Sequence, residues 1–201
     1  MPYPDRFYPV VDSVAWVARL ALLGAGTIQL RAKNLAEADV LQTVKDALEV
    51  IRGTRAKLVV NDYWRAAIEA GAKHLHLGQE DLAEADVAAI RAAGLTLGIS
   101  THDDAELETA LAAKPDYIAL GPIFPTTLKS MRFAPQGIPK ITEWKKRVGE
   151  IPLVAIGGIK LEHASEIFAA GADSIAVVSD ITQNADADKR VRAWLGLKEP
   201  A

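Results

Sequence analysis

Short apolar runs that end on polar side chains punctuate the chain, and the stretches between them carry their apolar residues at helical spacing. The runs Phe7 to Val11, Thr27 to Lys33, Lys57 to Asp62, Lys73 to Leu77, Thr96 to Ser100, Tyr117 to Leu120, Leu153 to Ile156 and Ser174 to Val178 predict eight strands. Near-continuous apolar runs of this length fit strands of a parallel sheet, buried on both faces. Amphipathic helices are predicted over Val14 to Leu23, Leu35 to Arg52, Tyr63 to Ala70, Ala83 to Ala93, Asp104 to Ala113, Ile138 to Arg147, Leu161 to Ala169 and Ala187 to Leu195. Between several helices and the next strand stands a glycine: Gly24, Gly71, Gly94 and Gly171. Each is placed where a helix ends in a left-handed turn, which glycine enters without a Cβ penalty.

Strands alternating with helices imply right-handed crossovers and an all-parallel sheet. Repeated eight times, the unit predicts an α/β fold closed into a (β/α)₈ TIM barrel, a single domain over 1–201, near the roughly 200-residue lower limit of that fold. An open doubly wound sheet is the competing topology. Its glycine-rich turn after the first strand is absent, and Val11-Asp12-Ser13 stands there instead.

Charge and composition narrow the partners. A net charge of −3 with no basic patch argues against nucleic acid. The chain has no cysteine, which removes disulfides, thiolate nucleophiles and Cys-based metal sites and fits a reducing, cytoplasmic setting. No apolar run approaches membrane-spanning length, and Met-Pro-Tyr-Pro-Asp-Arg lacks the apolar core of a secretory signal, so neither membrane nor export is expected.

In a barrel of this kind, chemistry gathers at the C-terminal ends of the strands. Along the second strand Gln29, Arg31 and Lys33 share one face and Leu30 and Ala32 the other, so an amide and two cations are expected in the barrel mouth. Two inward cations need anionic partners to offset their desolvation, and a diphosphate supplies them. Asn61-Asp62 and Gln79-Glu80-Asp81 end the next two runs, so Asp62 and Asp81 can share one ion. Unscreened carboxylates would repel a diphosphate by roughly 4 kcal/mol per charge pair at about 4 Å and an effective dielectric near 20, so Mg²⁺ is expected between them. The same spacing also suits Asp62 and Asp81 as helix N-caps, and spacing alone leaves the two readings even. Gly157-Gly158 and Ser179 follow the last two strands, the usual monophosphate site of such barrels. The stretch from Gly121 to Lys129, rich in prolines and hydroxyls, reads as a lid. Among the histidines, His74 and His76 read as barrel packing, His102 as a possible substrate contact at a strand end, and His163 as surface.

Taken together, Gln29-Leu30-Arg31-Ala32-Lys33, Asn61-Asp62, His76 to Asp81, Gly98 to His102, Gly121 to Thr126 with Lys129, Ile156-Gly157-Gly158-Ile159 and Ala176-Val177-Val178-Ser179 resemble the thiamine-phosphate synthase family, in order from about Tyr8 to Ile181. The resemblance implies a Mg²⁺-assisted transferase of thiamine biosynthesis. It would join 4-amino-2-methyl-5-(diphosphooxymethyl)pyrimidine to a thiazole phosphate, or its carboxylated form, with dissociative loss of pyrophosphate. It assigns Gln29, Leu30, Arg31, Ala32, Lys33, Asn61, Ser100 and Lys129 to the pyrimidine diphosphate, with Arg31, Lys33 and Lys129 catalytic. It assigns Thr126, Thr127, Leu128, Gly158, Val178 and Ser179 to the thiazole phosphate, and Asp62 and Asp81 to the metal. The family loop reads Thr-x-Thr-Lys, whereas Thr126-Thr127-Leu128-Lys129 stands here, so weaker thiazole-phosphate affinity is expected. Two other readings compete: a related thiazole tautomerase, which has no use for a diphosphate clamp, and a thiamine-phosphate-binding protein without catalysis.

Overall fold

The computed structural model describes residues 3–33, 35–126 and 133–197. Eight parallel strands close in sequence order into one barrel: β1 (Phe7–Val11), β2 (Thr27–Leu30), β3 (Lys57–Asn61), β4 (His74–Leu77), β5 (Thr96–Thr101), β6 (Tyr117–Leu120), β7 (Leu153–Ile156) and β8 (Ser174–Val177). Closure is made by β1 against β8, with Tyr8 opposite Ala176. The helices are α1 (Val14–Leu23), α2 (Glu37–Val50), α3 (Trp64–Glu69), α4 (Gln79–Glu84), α5 (Val87–Ala92), α6 (Asp104–Ala112), α7 (Gly137–Val148), α8 (Ala164–Ala169), α9 (Ser179–Thr182) and α10 (Ala187–Leu195), with a 3-10 turn over Leu161–His163.

Strand alternation builds two cores. Ile28, Leu30, Leu58, Val60, Leu75, Leu77, Leu97 and Ile99 point outward and pack against the helices. Tyr8, Val10, Val59, Tyr117, Ala119, Val154 and Ala176 fill the barrel itself. The largest buried rings keep their polar atoms paired, as buried Trp requires: Trp144 Nε1 donates to Thr101 Oγ1 at 3.1 Å and Trp194 Nε1 to Asp180 Oδ2 at 2.8 Å.

Several boundaries differ from the sequence expectation. Strand β2 ends at Leu30, although Arg31 N still donates to Val11 O at 2.7 Å, so the alternation of Gln29, Arg31 and Lys33 outlasts the ladder. Asp62 leaves β3 with φ at +65°, a left-handed conformation that Asp tolerates better than most residues. The predicted helix over Ala83 to Ala93 is two helices, because Asp86 caps a new one by accepting from Ala89 N at 2.9 Å. The helix α9 has no counterpart among the expected elements; its Asp180 is held by Arg190 Nε at 2.8 Å, and Arg190 also grips Glu162, so the turn after β8 is tied to α10 and to the turn after β7. The expected left-handed turns do occur at Gly24, Gly71, Gly94 and Gly171. Among the described residues no helix is long and apolar enough to cross a membrane.

Candidate active site

Two adjoining cavities open at the C-terminal ends of the strands and share a wall made of Arg31, Asn61, His76, Ser100 and His102. The larger, about 550 Å³, is lined by Gln29, Thr126, Gly158, Val178 and Ser179, with Val10, Trp16, Pro122, Ile156 and Ile159 supplying apolar surface. The smaller, about 300 Å³, is lined by Lys33, Asp62, Gln79, Glu80, Asp81 and Glu106. The expected site residues therefore sort into two groups around a common partition. Leu30 and Ala32 do not join them: their side chains are buried in the core between sheet and helices, and neither residue lines a cavity. Thr127, Leu128 and Lys129 lie outside the described residues.

In the smaller cavity Asp62 and Asp81 face one another. Burial and the neighbouring Asp62 charge, in that order, push the Asp81 carboxyl up to about 6. Asp62 Oδ2 also accepts from Asn61 Nδ2 at 2.5 Å and lies 3.3 Å from Lys33 Nζ. Neither aspartate caps a helix with its side chain: the cap of α3 is Tyr63 and that of α4 is Gly78, and neither makes a side-chain cap bond. With the cap reading gone, what remains is two opposed carboxylates that require a proton or a cation between them. A pair of carboxylates suits Mg²⁺, whose other positions go to phosphate oxygens and water.

His76 is buried on β4, and burial lowers its pKa to about 4, so its ring is neutral at pH 7. Its Nδ1 pairs with Tyr117 Oη at 2.9 Å and its Nε2 with Ser100 Oγ at 2.8 Å. The packing role expected for it is thus joined by a place in the shared wall. His74 lies one pleat further in, bonded to Thr96 Oγ1 at 2.8 Å and outside both cavities. His102 pairs with Glu106 Oε2 at 2.6 Å and stacks on Phe133, with ring centroids 4.8 Å apart. His163, expected at the surface, is half-buried with its ring against Phe124.

The larger cavity is roofed by loops that interlock. Ile123 N donates to Ile156 O at 2.9 Å and Phe124 N to Gly157 O at 3.0 Å. Gly158 has φ at +65°, and a Cβ there would lie 2.5 Å from Pro125 O, so both its conformation and its closeness to the loop after β6 demand glycine. Ser179 opens α9 directly after β8, across the same cavity. Sequence reasoning missed Tyr8, Tyr117, Gln79 and Glu106. The first two stand on β1 and β6, and only barrel closure brings them together.

Comparison with known proteins gives one consistent answer. The sequence profile of a family described as thiamine monophosphate synthase matches residues 7–181. A thiamine-phosphate synthase of Rhizobium etli is 53% identical over 196 residues, covering 98% of this chain and 96% of that protein. The solved thiamine phosphate pyrophosphorylase of Pyrococcus furiosus superposes with a TM-score of 0.81 at 28% identity, covering 94% of this chain and 93% of the other. A 3-hexulose-6-phosphate synthase, at TM-score 0.71 and 14% identity over 94% of this chain and 97% of the other, shares the fold alone.

Proposed function

The chain belongs to the thiamine-phosphate synthase family, and from that premise we propose that its two cavities bind a pyrimidine diphosphate and a thiazole phosphate and join them to give thiamine phosphate and pyrophosphate. The observation that carries this reading is the partition: a cavity with two opposed acids and a lysine meets, at Arg31, Asn61 and Ser100, a cavity with a glycine turn and Ser179. The reaction would run in the cytoplasm on small-molecule substrates.

Arg31, Lys33 and Asn61 grip the diphosphate, together with Lys129 from the loop after β6, which the family pattern assigns. Gln29 and Ser100, both in the larger cavity, hold the pyrimidine ring where that cavity meets the smaller one, with Leu30 and Ala32 contributing backbone contacts as the family pattern assigns. Gly158, Val178, Ser179 and the residues Thr126, Thr127 and Leu128 hold the thiazole phosphate. Asp62 and Asp81 would bind Mg²⁺, which when present neutralises part of the charge on the diphosphate.

No nucleophile is required from the protein. The bond between the pyrimidine's methylene carbon and the diphosphate oxygen breaks, its electron pair leaves with pyrophosphate, and the aminopyrimidine ring delocalises the resulting positive charge. The thiazole nitrogen then donates its lone pair to that carbon. Arg31 and Lys33 stabilise charge where it grows, on the departing oxygens. Val10, Pro122, Ile156 and Val178 keep the reacting carbon among apolar surface and limit capture by water.

Pyrophosphate release on mixing both substrates with Mg²⁺ tests the reading. Release should require all three components and match thiamine phosphate formed, one for one. Release without the thiazole phosphate at the full rate, or none at all, would contradict it.

A further inference from the structure

A chain of buried hydrogen bonds crosses the barrel and joins the two residues proposed to hold the pyrimidine. Gln29 Nε2 donates to Tyr8 Oη at 2.7 Å, Tyr8 Oη pairs with Tyr117 Oη at 2.8 Å, Tyr117 Oη with His76 Nδ1 at 2.9 Å, and His76 Nε2 with Ser100 Oγ at 2.8 Å. Tyr8, Tyr117 and His76 are 1%, 0% and 6% exposed, so each relies on the chain for its partners. Gly98 admits the Tyr117 ring to this position: a Cβ there would lie 1.9 Å from Tyr117 Cζ.

Hydrogens in such a chain must run one way. A phenol has one proton to give, and a neutral imidazole has one donor and one acceptor nitrogen. With Gln29 donating, Tyr8 gives its proton to Tyr117, Tyr117 gives its own to His76 Nδ1, and His76 Nε2–H donates to Ser100 Oγ. The Ser100 hydroxyl is then left to donate into the cavity, and the Gln29 amide oxygen is left to accept there. Reversing any link alone strands a buried donor or sets two lone pairs against each other, which costs about 1–3 kcal/mol. The two ends are therefore coupled, although they stand on β2 and β5.

We propose that Tyr117 and His76 are positioning residues that fix the direction of this relay, and thereby make the site accept a pyrimidine bearing an amine and unprotonated ring nitrogens and reject its 4-oxo counterpart. The inference rests on reading the part of the larger cavity lined by Gln29 and Ser100 as the place of the pyrimidine ring, with its diphosphate reaching into the smaller cavity. An amine donates to Gln29 and a ring nitrogen accepts from Ser100. A 4-oxo ring presents a carbonyl and an N–H, the inverse pattern: its carbonyl is set against the Gln29 oxygen, and its N–H reaches only the second lone pair of Ser100 Oγ, which leaves the serine proton without its acceptor unless the whole relay and the Gln29 amide turn over.

The test compares binding of 4-amino- and 4-oxo-2-methyl-5-(diphosphooxymethyl)pyrimidine, with Mg²⁺, to the wild type, Tyr117→Phe and Tyr8→Phe, using inorganic pyrophosphate as the control for the diphosphate grip. The wild type should prefer the amine at least about a hundredfold, as sites built on buried polar groups do. In each variant the preference should shrink about tenfold or more while pyrophosphate binds as in the wild type, and the Tyr8 variant carries the test should Tyr117→Phe fail to fold. Nitrogen NMR of the wild type should show His76 protonated on Nε2. Undiminished preference in a folded variant, or a proton on Nδ1, overturns the inference alone. A wild type that binds neither pyrimidine overturns the functional reading with it.

Discussion

Lys33 Nζ lies 3.3 Å from Oδ2 of Asp62, bridging the ends of two neighbouring strands, and so the basic and acidic sides of the smaller cavity are in contact. The lysine side chain is 46% exposed and the aspartate 14%, a pairing worth less than about 1 kcal/mol to the fold. Its value lies elsewhere: it holds a cation beside the place assigned to the diphosphate. Lys33→Ala should leave the melting temperature within a few degrees of wild type and lower kcat/KM by about 10²–10³, the cost typical of losing one preorganised electrostatic contact. Thermal melts and steady-state pyrophosphate release check both halves.

The raised Asp81 pKa sets a pH dependence. Without metal, the folded protein holds a proton on Asp81 up to about pH 6, whereas a free Asp releases it near 3.8. Between those values the folded state binds more protons than the unfolded, so this carboxyl's contribution to stability is present below pH 3.8 and is lost as pH rises through 6. Mg²⁺ competes with the same proton, so its affinity should climb from pH 5 to pH 7 and flatten above. Melting curves with and without Mg²⁺ should converge at low pH and separate above pH 6; Asp81→Asn should remove the pH dependence of the difference.

Gly158→Ala addresses the other cavity. A left-handed backbone costs an L-residue about 1–2 kcal/mol, and the new Cβ would press on Pro125 O and Phe124. The variant should melt lower, and its KM for the thiazole phosphate should rise several-fold while that for the pyrimidine diphosphate changes little. Separate substrate titrations read the split.

Much of this was legible in the sequence because its causes are local. Gly24, Gly71, Gly94 and Gly171 announced left-handed turns, and the alternation of Gln29, Arg31 and Lys33 announced an inward polar face even though the regular strand stops at Leu30. The roles of Asp62 and Asp81 were undecided on spacing, since an Asp before a helix serves a cap as well as an ion; the backbone at Asp62 and the cap at Gly78 remove the first option. What sequence could not reveal depends on closure and register. Tyr8 and Tyr117 are far apart in the chain and meet only because β1 and β6 face each other across the barrel. The turn at Ser179 to Thr182 is similarly set by Asp180, whose partners Arg190 and Trp194 come from α10.

The central claim is that Asp62 and Asp81 share a divalent cation through which the diphosphate is held. Calorimetric titration of the pyrimidine diphosphate into wild type and Asp81→Asn, each with Mg²⁺ and with chelator, tests it most directly. The account predicts tight binding only for wild type with Mg²⁺, and affinity lower by at least about tenfold, some 1.4 kcal/mol, in the other three arms. Equal affinity in all four would contradict it.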